Sequence, residues 1–237
     1  MTTSHRTCAA PDGVGTGAAT RRALLLGATG LVGSILLGRL LADARYREVI
    51  VVARRSPALV HPALRVVEVD FERLASAAEA FRVEHVYCCL GTTLKRAGSR
   101  DAFRRVDHDY VVEAARLAAA ADVEAFVWMS SVGADPASRS FYTRVKGELE
   151  RAVAALPLRR WIAVRPSLLL GDRAEFRPAE RITAVLSRPL GPLLVGGLRR
   201  WRPIAAEAVA QSMLELANGG AAVEGLEYVA GGTGAAA

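Results

Sequence analysis

The chain has 237 residues, 51% of them hydrophobic and 23% charged, a balance that suits one packed domain and excludes a disordered chain. A formal charge of +7 and a pI near 9.9 raise nucleic acid as a partner, but the arginines are dispersed as pairs (Arg21-Arg22, Arg54-Arg55, Arg104-Arg105, Arg159-Arg160, Arg199-Arg200), which reads as a solvated surface with no nucleic-acid partner. Cys8, Cys88 and Cys89 are the three cysteines; they exclude a disulfide framework and point to reduced thiols in a cytoplasmic protein.

Residues 1–20 are small and polar without apolar period and read as a disordered leader. The apolar stretch Ala23 to Gly38 after Arg21-Arg22 imitates a twin-arginine export signal, but no uninterrupted apolar run reaches the roughly 20 residues of a membrane helix, so no membrane span is expected. Strands are predicted at 23–26, 48–53, 64–69, 85–90, 125–129 and 161–164, and helices at 31–41, 74–81, 102–121 and 142–156. This alternation is the mark of right-handed βαβ units. The expected fold is α/β, a doubly wound parallel sheet of Rossmann type in a single domain over 21–237. Past Arg165-Pro166 the regularity weakens. Residues 167–237 are expected to form a loop-rich substrate lobe, closed by a helix at 204–216 and a short apolar tail at Tyr228.

Gly27-Ala28-Thr29-Gly30-Leu31-Val32-Gly33 joins the first strand to the first helix. Gly27 suits the tight turn, Gly30 lets the main chain approach a pyrophosphate, and Gly33 lets the helix pack closely on the sheet. The helix start offers N–H groups and partial positive charge to an anion, so a dinucleotide is the natural occupant. At the end of the second strand stands Ala53-Arg54-Arg55-Ser56, without the carboxylate that would bond ribose hydroxyls. Arg54 and Arg55 suit a 2′-phosphate, which favours NADP(H) over NAD; the competing reading is one more surface arginine pair. Asp70 and the run Leu90-Gly91-Thr92-Thr93 end the third and fourth strands, where a cofactor's adenine and middle would pass, or where they merely turn the chain.

Tyr142 and Lys146 lie four apart on one predicted helix face. A tyrosine with pKa near 10 needs a neighbouring positive charge to exchange a proton at neutral pH, and Lys146 would supply it. Only two lysines occur, Lys95 and Lys146, beside five tyrosines; chance would produce this spacing in roughly 4% of such chains. Ser131, or Ser130 beside it, ends the fifth strand where a hydroxyl can hold a substrate carbonyl. Asp107-His108-Asp109 are consecutive in a predicted helix and cannot face one ion, so they read as solvated helix polarity and no metal site is expected.

Gly27 to Gly33, Arg54-Arg55, Cys88 to Thr93, Val106-Asp107-His108-Asp109-Tyr110, Ser130-Ser131-Val132-Gly133-Ala134, Tyr142 with Lys146-Gly147-Glu148, and Arg165-Pro166 resemble, in order, the atypical short-chain dehydrogenase/reductases of the Tat-interacting-protein branch. The resemblance implies an NADPH-binding fold with a tyrosine proton donor and its lysine partner. It also implies cofactor contacts at Thr29, Gly30, Leu31, Val32, Leu90, Gly91, Leu169 and Arg177. The expected function is NADPH-dependent hydride transfer to a small carbonyl or related unsaturated substrate, with a homodimer as the candidate assembly. The alternative is a regulatory protein that senses NADP(H) without turnover.

Overall fold

Arg21–Leu26 forms the first strand, β1. Successive strand residues point to opposite faces, so Ala23 and Leu25 enter one apolar core while Leu24 and Leu26 enter a second. A strand buried on both sides is a continuous apolar run, as expected where helices cover both faces of a parallel sheet. β2 (Tyr46–Ala53) repeats the device: Val49 and Val51 face the first core, Ile50 and Val52 the second. The computed structural model describes residues 20–167, 169–170, 203–224 and 226–233. The predicted leader except Thr20, most of the predicted lobe, and Arg177 lie outside the described residues.

The strands β3 (Leu64–Glu68), β4 (His85–Cys88), β5 (Ala125–Met129) and β6 (Trp161–Arg165) continue the parallel arrangement. After a small parallel pair, β7 (Leu169–Leu170) with β8 (Ile204–Ala205), comes β9 (Glu227–Gly231), antiparallel to β6. The main sheet has seven strands in the order β3-β2-β1-β4-β5-β6-β9. On one face lie α1 (Leu31–Ala42) and a later helix at Ala206–Ala217. The other face carries the run Phe71–Phe81, a helix at Tyr110–Ala120 (α4) and one at Phe141–Ala154 (α5); the short helices α2 (Leu94–Ala97) and α3 (Arg100–Arg104) lie between β4 and α4 in the chain. The helix at Ala206–Ala217 is α6.

Three elements differ from expectation for identifiable reasons. Phe71–Phe81 is a series of 3₁₀ turns, not a helix beginning at 74; its buried Phe71, Leu74, Ala77 and Ala80 recur every third residue, the repeat that 3.0 residues per turn aligns on one face. The single helix expected over 102–121 is interrupted by a π-helical turn, Arg105–Asp109, between α3 and α4. The apolar tail at Tyr228 is the strand β9, which pairs Tyr228 with Val164 and so covers the open edge of β6.

Below the sheet, at the N-terminal ends of β2 and β4, a buried polar hub replaces apolar packing. The Tyr46 hydroxyl lies 2.7 Å from His85 Nδ1 and 2.8 Å from the Tyr87 hydroxyl, and accepts from Asn218 Nδ2 at 2.9 Å. Burial, helped by Arg21, Arg160 and Arg45, pushes the His85 imidazole down to about 3, so it sits in the fold as the neutral ring.

Candidate active site

The chain runs outward from β1 through β2 to β3 and then returns to place β4 on the other side of β1. That reversal opens a crevice at the carboxyl ends of β1 and β4, where open α/β sheets bind their ligands. Gly27 follows β1 with φ +81, and a Cβ there would stand 2.6 Å from the Cys89 carbonyl carbon, just past the end of β4. A Cβ on Gly33 would stand 2.1 Å from the Gly27 carbonyl oxygen, so only glycine lets α1 sit this close to the turn. Gly30 is the N-cap of α1 without a side-chain cap, and a Cβ there would meet nothing nearer than 3.4 Å. Thr29 and Gly30 are both exposed, beside the first helical N–H groups, which have no partner within the helix. Leu31 is half-buried and the Val32 side chain is in the core, so Val32 offers a cofactor only its backbone. The cradle fits a pyrophosphate: a side chain at Gly30 would fill it, and one at Gly27 or Gly33 would force the turn apart.

Arg54 and Arg55 are both exposed at the end of β2, with Ser56 after them. Asp70 follows β3, and its carboxylate is occupied locally, accepting from Glu72 N at 3.1 Å as the cap of the 3₁₀ run. Leu90 is buried and Gly91 exposed beyond β4, and Cys89 N donates to Leu26 O at 2.8 Å, tying this loop to the glycine turn. Leu169 packs partly buried against the α1 and α6 core. Cys88 and Cys89 are free thiols; burial pushes Cys88 up to about 12 and raises Cys89 as well, so neither is a thiolate nucleophile at neutral pH.

Tyr142 opens α5 and is 39% exposed, its ring 5.9 Å from that of Phe103. One turn later Lys146 is buried. Its Nζ lies 2.9 Å from Asp107 Oδ1 and 3.4 Å from the Met129 carbonyl oxygen. Desolvation pulls the ammonium down, but Asp107 and Tyr142 outweigh it and hold the group above the ordinary lysine range. An ammonium has three N–H donors. Two are engaged with fixed groups here, which aims the third.

Asp107 corrects the sequence reading. It is 2% exposed, not solvated, because the π turn at Arg105–Asp109 rotates it inward while His108 and Asp109 pair with each other at 2.8 Å. Its second oxygen accepts from Thr92 N at 2.7 Å, so one carboxylate ties the lysine of α5 to the loop after β4. The legible signal was electrostatic: a buried lysine requires a buried counter-charge.

The two serines at the end of β5 have different surroundings. Ser130 is buried and its hydroxyl donates to Glu150 Oε1. Ser131 is half-buried, its hydroxyl donating to the carbonyl of its own neighbour Val132 at 3.2 Å. Among the described residues no cluster of histidine, cysteine and acidic side chains is arranged to hold a metal, and no helix is long and apolar enough to cross a membrane.

Residues 27–218 match the family model described as NAD(P)H-binding. The chain belongs to that family. Within it the chain is of the atypical short-chain dehydrogenase/reductase kind. It is 33% identical over 205 residues to "Protein fmp52, mitochondrial" of Emericella nidulans, covering 82% of this chain and 88% of that protein. It is 42% identical over 160 residues to "Protein HTATIP2" of Rattus norvegicus, a match spanning 66% of each chain. Among solved structures, the Bordetella bronchiseptica enzyme WbmH in complex with NAD+ is similar at a TM-score of 0.64 and 14% identity, over 84% of this chain and 72% of that one. MoeE5 in complex with UDP-glucose and NAD is similar at a TM-score of 0.63 and 20% identity, over 83% and 71%. These two share the fold of this family member.

Proposed function

We propose that this family member is an NADPH-dependent oxidoreductase that reduces a small carbonyl or related unsaturated compound. The observation that carries the reading is the half-exposed Tyr142 one helical turn from a buried Lys146 fixed by Asp107. A nicotinamide cofactor held in the glycine cradle would supply the hydride for the substrate carbon. Tyr142 gives its phenolic proton to the substrate oxygen as that oxygen gains charge, so carbonyl becomes alcohol and the tyrosine is left as phenolate. The Lys146 charge steadies that phenolate, which unaided would be a strong base. Ser131 holds the same oxygen by a hydrogen bond. The first turn of α1 would hold the pyrophosphate, and Arg54 and Arg55 would hold the 2′-phosphate that separates NADPH from NADH. Leu90 and Gly91 would border the cofactor's middle. Asp70 contributes at most its following backbone, since its carboxylate is already a cap.

Replacing Tyr142 by Phe tests this directly. NADPH oxidation in the presence of 4-nitrobenzaldehyde or 9,10-phenanthrenequinone should be lost, while NADPH still quenches tryptophan fluorescence and raises the melting temperature. Turnover that survives Tyr142→Phe overturns the assignment. Binding of NADPH with no carbonyl reduced by the unaltered protein would favour the sensing alternative. The free thiols of Cys88, buried, and Cys89, partly buried, support a reducing compartment such as the cytosol; the fungal relatives' names read mitochondrial.

A further inference from the structure

Tyr142, Lys146 and Glu150 are spaced by four on α5 and so form one stripe along the helix. The stripe grips the end of β5 at two consecutive residues: Lys146 Nζ donates to the Met129 carbonyl at 3.4 Å, and Glu150 accepts from the Ser130 hydroxyl. Glu150 is itself held. Arg165, at the end of β6, donates Nε to Glu150 Oε1 at 2.9 Å and Nη2 to Oε2 at 2.5 Å, a bidentate fork. The same guanidinium donates Nη1 to Glu227 of β9 at 2.8 Å. The Glu150 and Arg165 side chains are 12% and 20% exposed, so the pair is largely shielded from solvent and salt.

A serine hydroxyl has one proton to donate. That of Ser130 goes to Glu150, and a carboxylate fixed by a fork does not release it to a neutral carbonyl. That of Ser131 goes to a neighbouring backbone carbonyl at 3.2 Å, a weak and local bond that a substrate oxygen can replace. We infer that Glu150, clamped by Arg165, is a positioning residue that withdraws Ser130 from the crevice and leaves Ser131 as the hydroxyl that meets substrate. The inference rests on the carbonyl-reductase reading above. It also gives β9 a role at the site: Glu227 steadies Arg165, Arg165 steadies Glu150, and Glu150 sets which serine is free.

A thermal double-mutant cycle on the full chain tests the clamp without any turnover. The melting losses of Ser130→Ala and Glu150→Ala should fail to add by about 2 °C or more, while those of Ser131→Ala and Glu150→Ala add within about 1 °C. If Glu150→Ala does not fold, Glu150→Leu, which also removes the acceptor, replaces it, and Ser130 must still couple to it more than Ser131 does. Steady-state reduction of 4-nitrobenzaldehyde by NADPH supplies the kinetic arm. Glu150→Ala should lower kcat about tenfold with the KM for NADPH within about twofold, and Glu150→Gln, which keeps an acceptor for Ser130, should recover most of the rate. Coupling to Ser131, coupling to neither serine, or an unchanged kcat overturns the inference. A wild-type protein that reduces no carbonyl removes the reductase reading alone, and the melting cycle still decides the clamp.

Discussion

Replacing Asp107 by Ala should be among the most damaging single changes in the molecule, and its damage should depend on pH. The Asp107 and Lys146 side chains are 2% and 4% exposed, so removing the carboxylate strands a buried ammonium and also takes the acceptor from Thr92 N. Breaking a buried pair on one side costs about 3–5 kcal/mol, which for a domain of this size lowers the melting temperature by about 6–20 °C. In the unaltered chain the Lys146 pKa lies above its unfolded value, so its stabilisation is fully present at neutral pH and disappears only as pH rises through the raised value. Without Asp107, desolvation prevails and the folded pKa falls below the unfolded one. The folded variant then prefers neutral lysine, and it gains stability as pH rises toward the unfolded value near 10.5. Differential scanning fluorimetry of both proteins at about pH 6 and about pH 9 should therefore show the larger deficit at the lower pH. A loss of under about 2 °C, or an equal loss at both values, would refute the argument that this carboxylate keeps Lys146 charged.

Changing Arg54 and Arg55 together to Ala should weaken NADPH binding about 10- to 100-fold, measured by fluorescence quenching, and leave NADH within about twofold; equal losses would end the 2′-phosphate assignment. A Cβ on Gly147 would stand 2.2 Å from Pro136 N and 2.3 Å from the Asp135 carbonyl carbon, backbone that cannot step aside, so Gly147→Ala should lower the melting temperature by about 2–10 °C. An unchanged melt would mean that the loop before α5 is free to shift. Unfolded histidine takes a proton near 6.5 and His85 only near about 3, so stability should fall as pH drops below about 6.5. His85→Gln should flatten that slope in acid melts; an identical slope would place the proton uptake elsewhere.

Much of this architecture could be read from residue order. Doubly buried runs such as Leu24-Leu25-Leu26 and Val49-Ile50-Val51-Val52 announced parallel strands, and the glycine spacing announced the turn, because each required a residue type that no other role explains. Tyr142 and Lys146 were legible because four-residue spacing is a local property of one helix. Asp107, Glu150 and Arg165 were harder, since their meaning lies in partners on other elements: Lys146 comes 39 positions after Asp107, and Arg165 comes 15 after Glu150. Asp107 was further concealed by backbone geometry. An ordinary helix gave no reason for the middle polar run to bury one member and expose the next. The strand β9 was obscured because Glu227 to Gly231 alternates only partly buried residues at a sheet edge, a weak pattern beside the fully apolar interior strands.

The wide turn at Arg105–Asp109 is in effect a surplus residue inside an otherwise regular ladder. One residue is about 100° of rotational phase, so excising a single position there would turn everything upstream relative to α4 by more than a quarter revolution. The counter-ion of the central lysine would swing out of its slot while the apolar stripe of α4 stayed docked. Removing one residue of this turn should therefore separate Lys146 from the Asp107 carboxylate that now lies 2.9 Å from it.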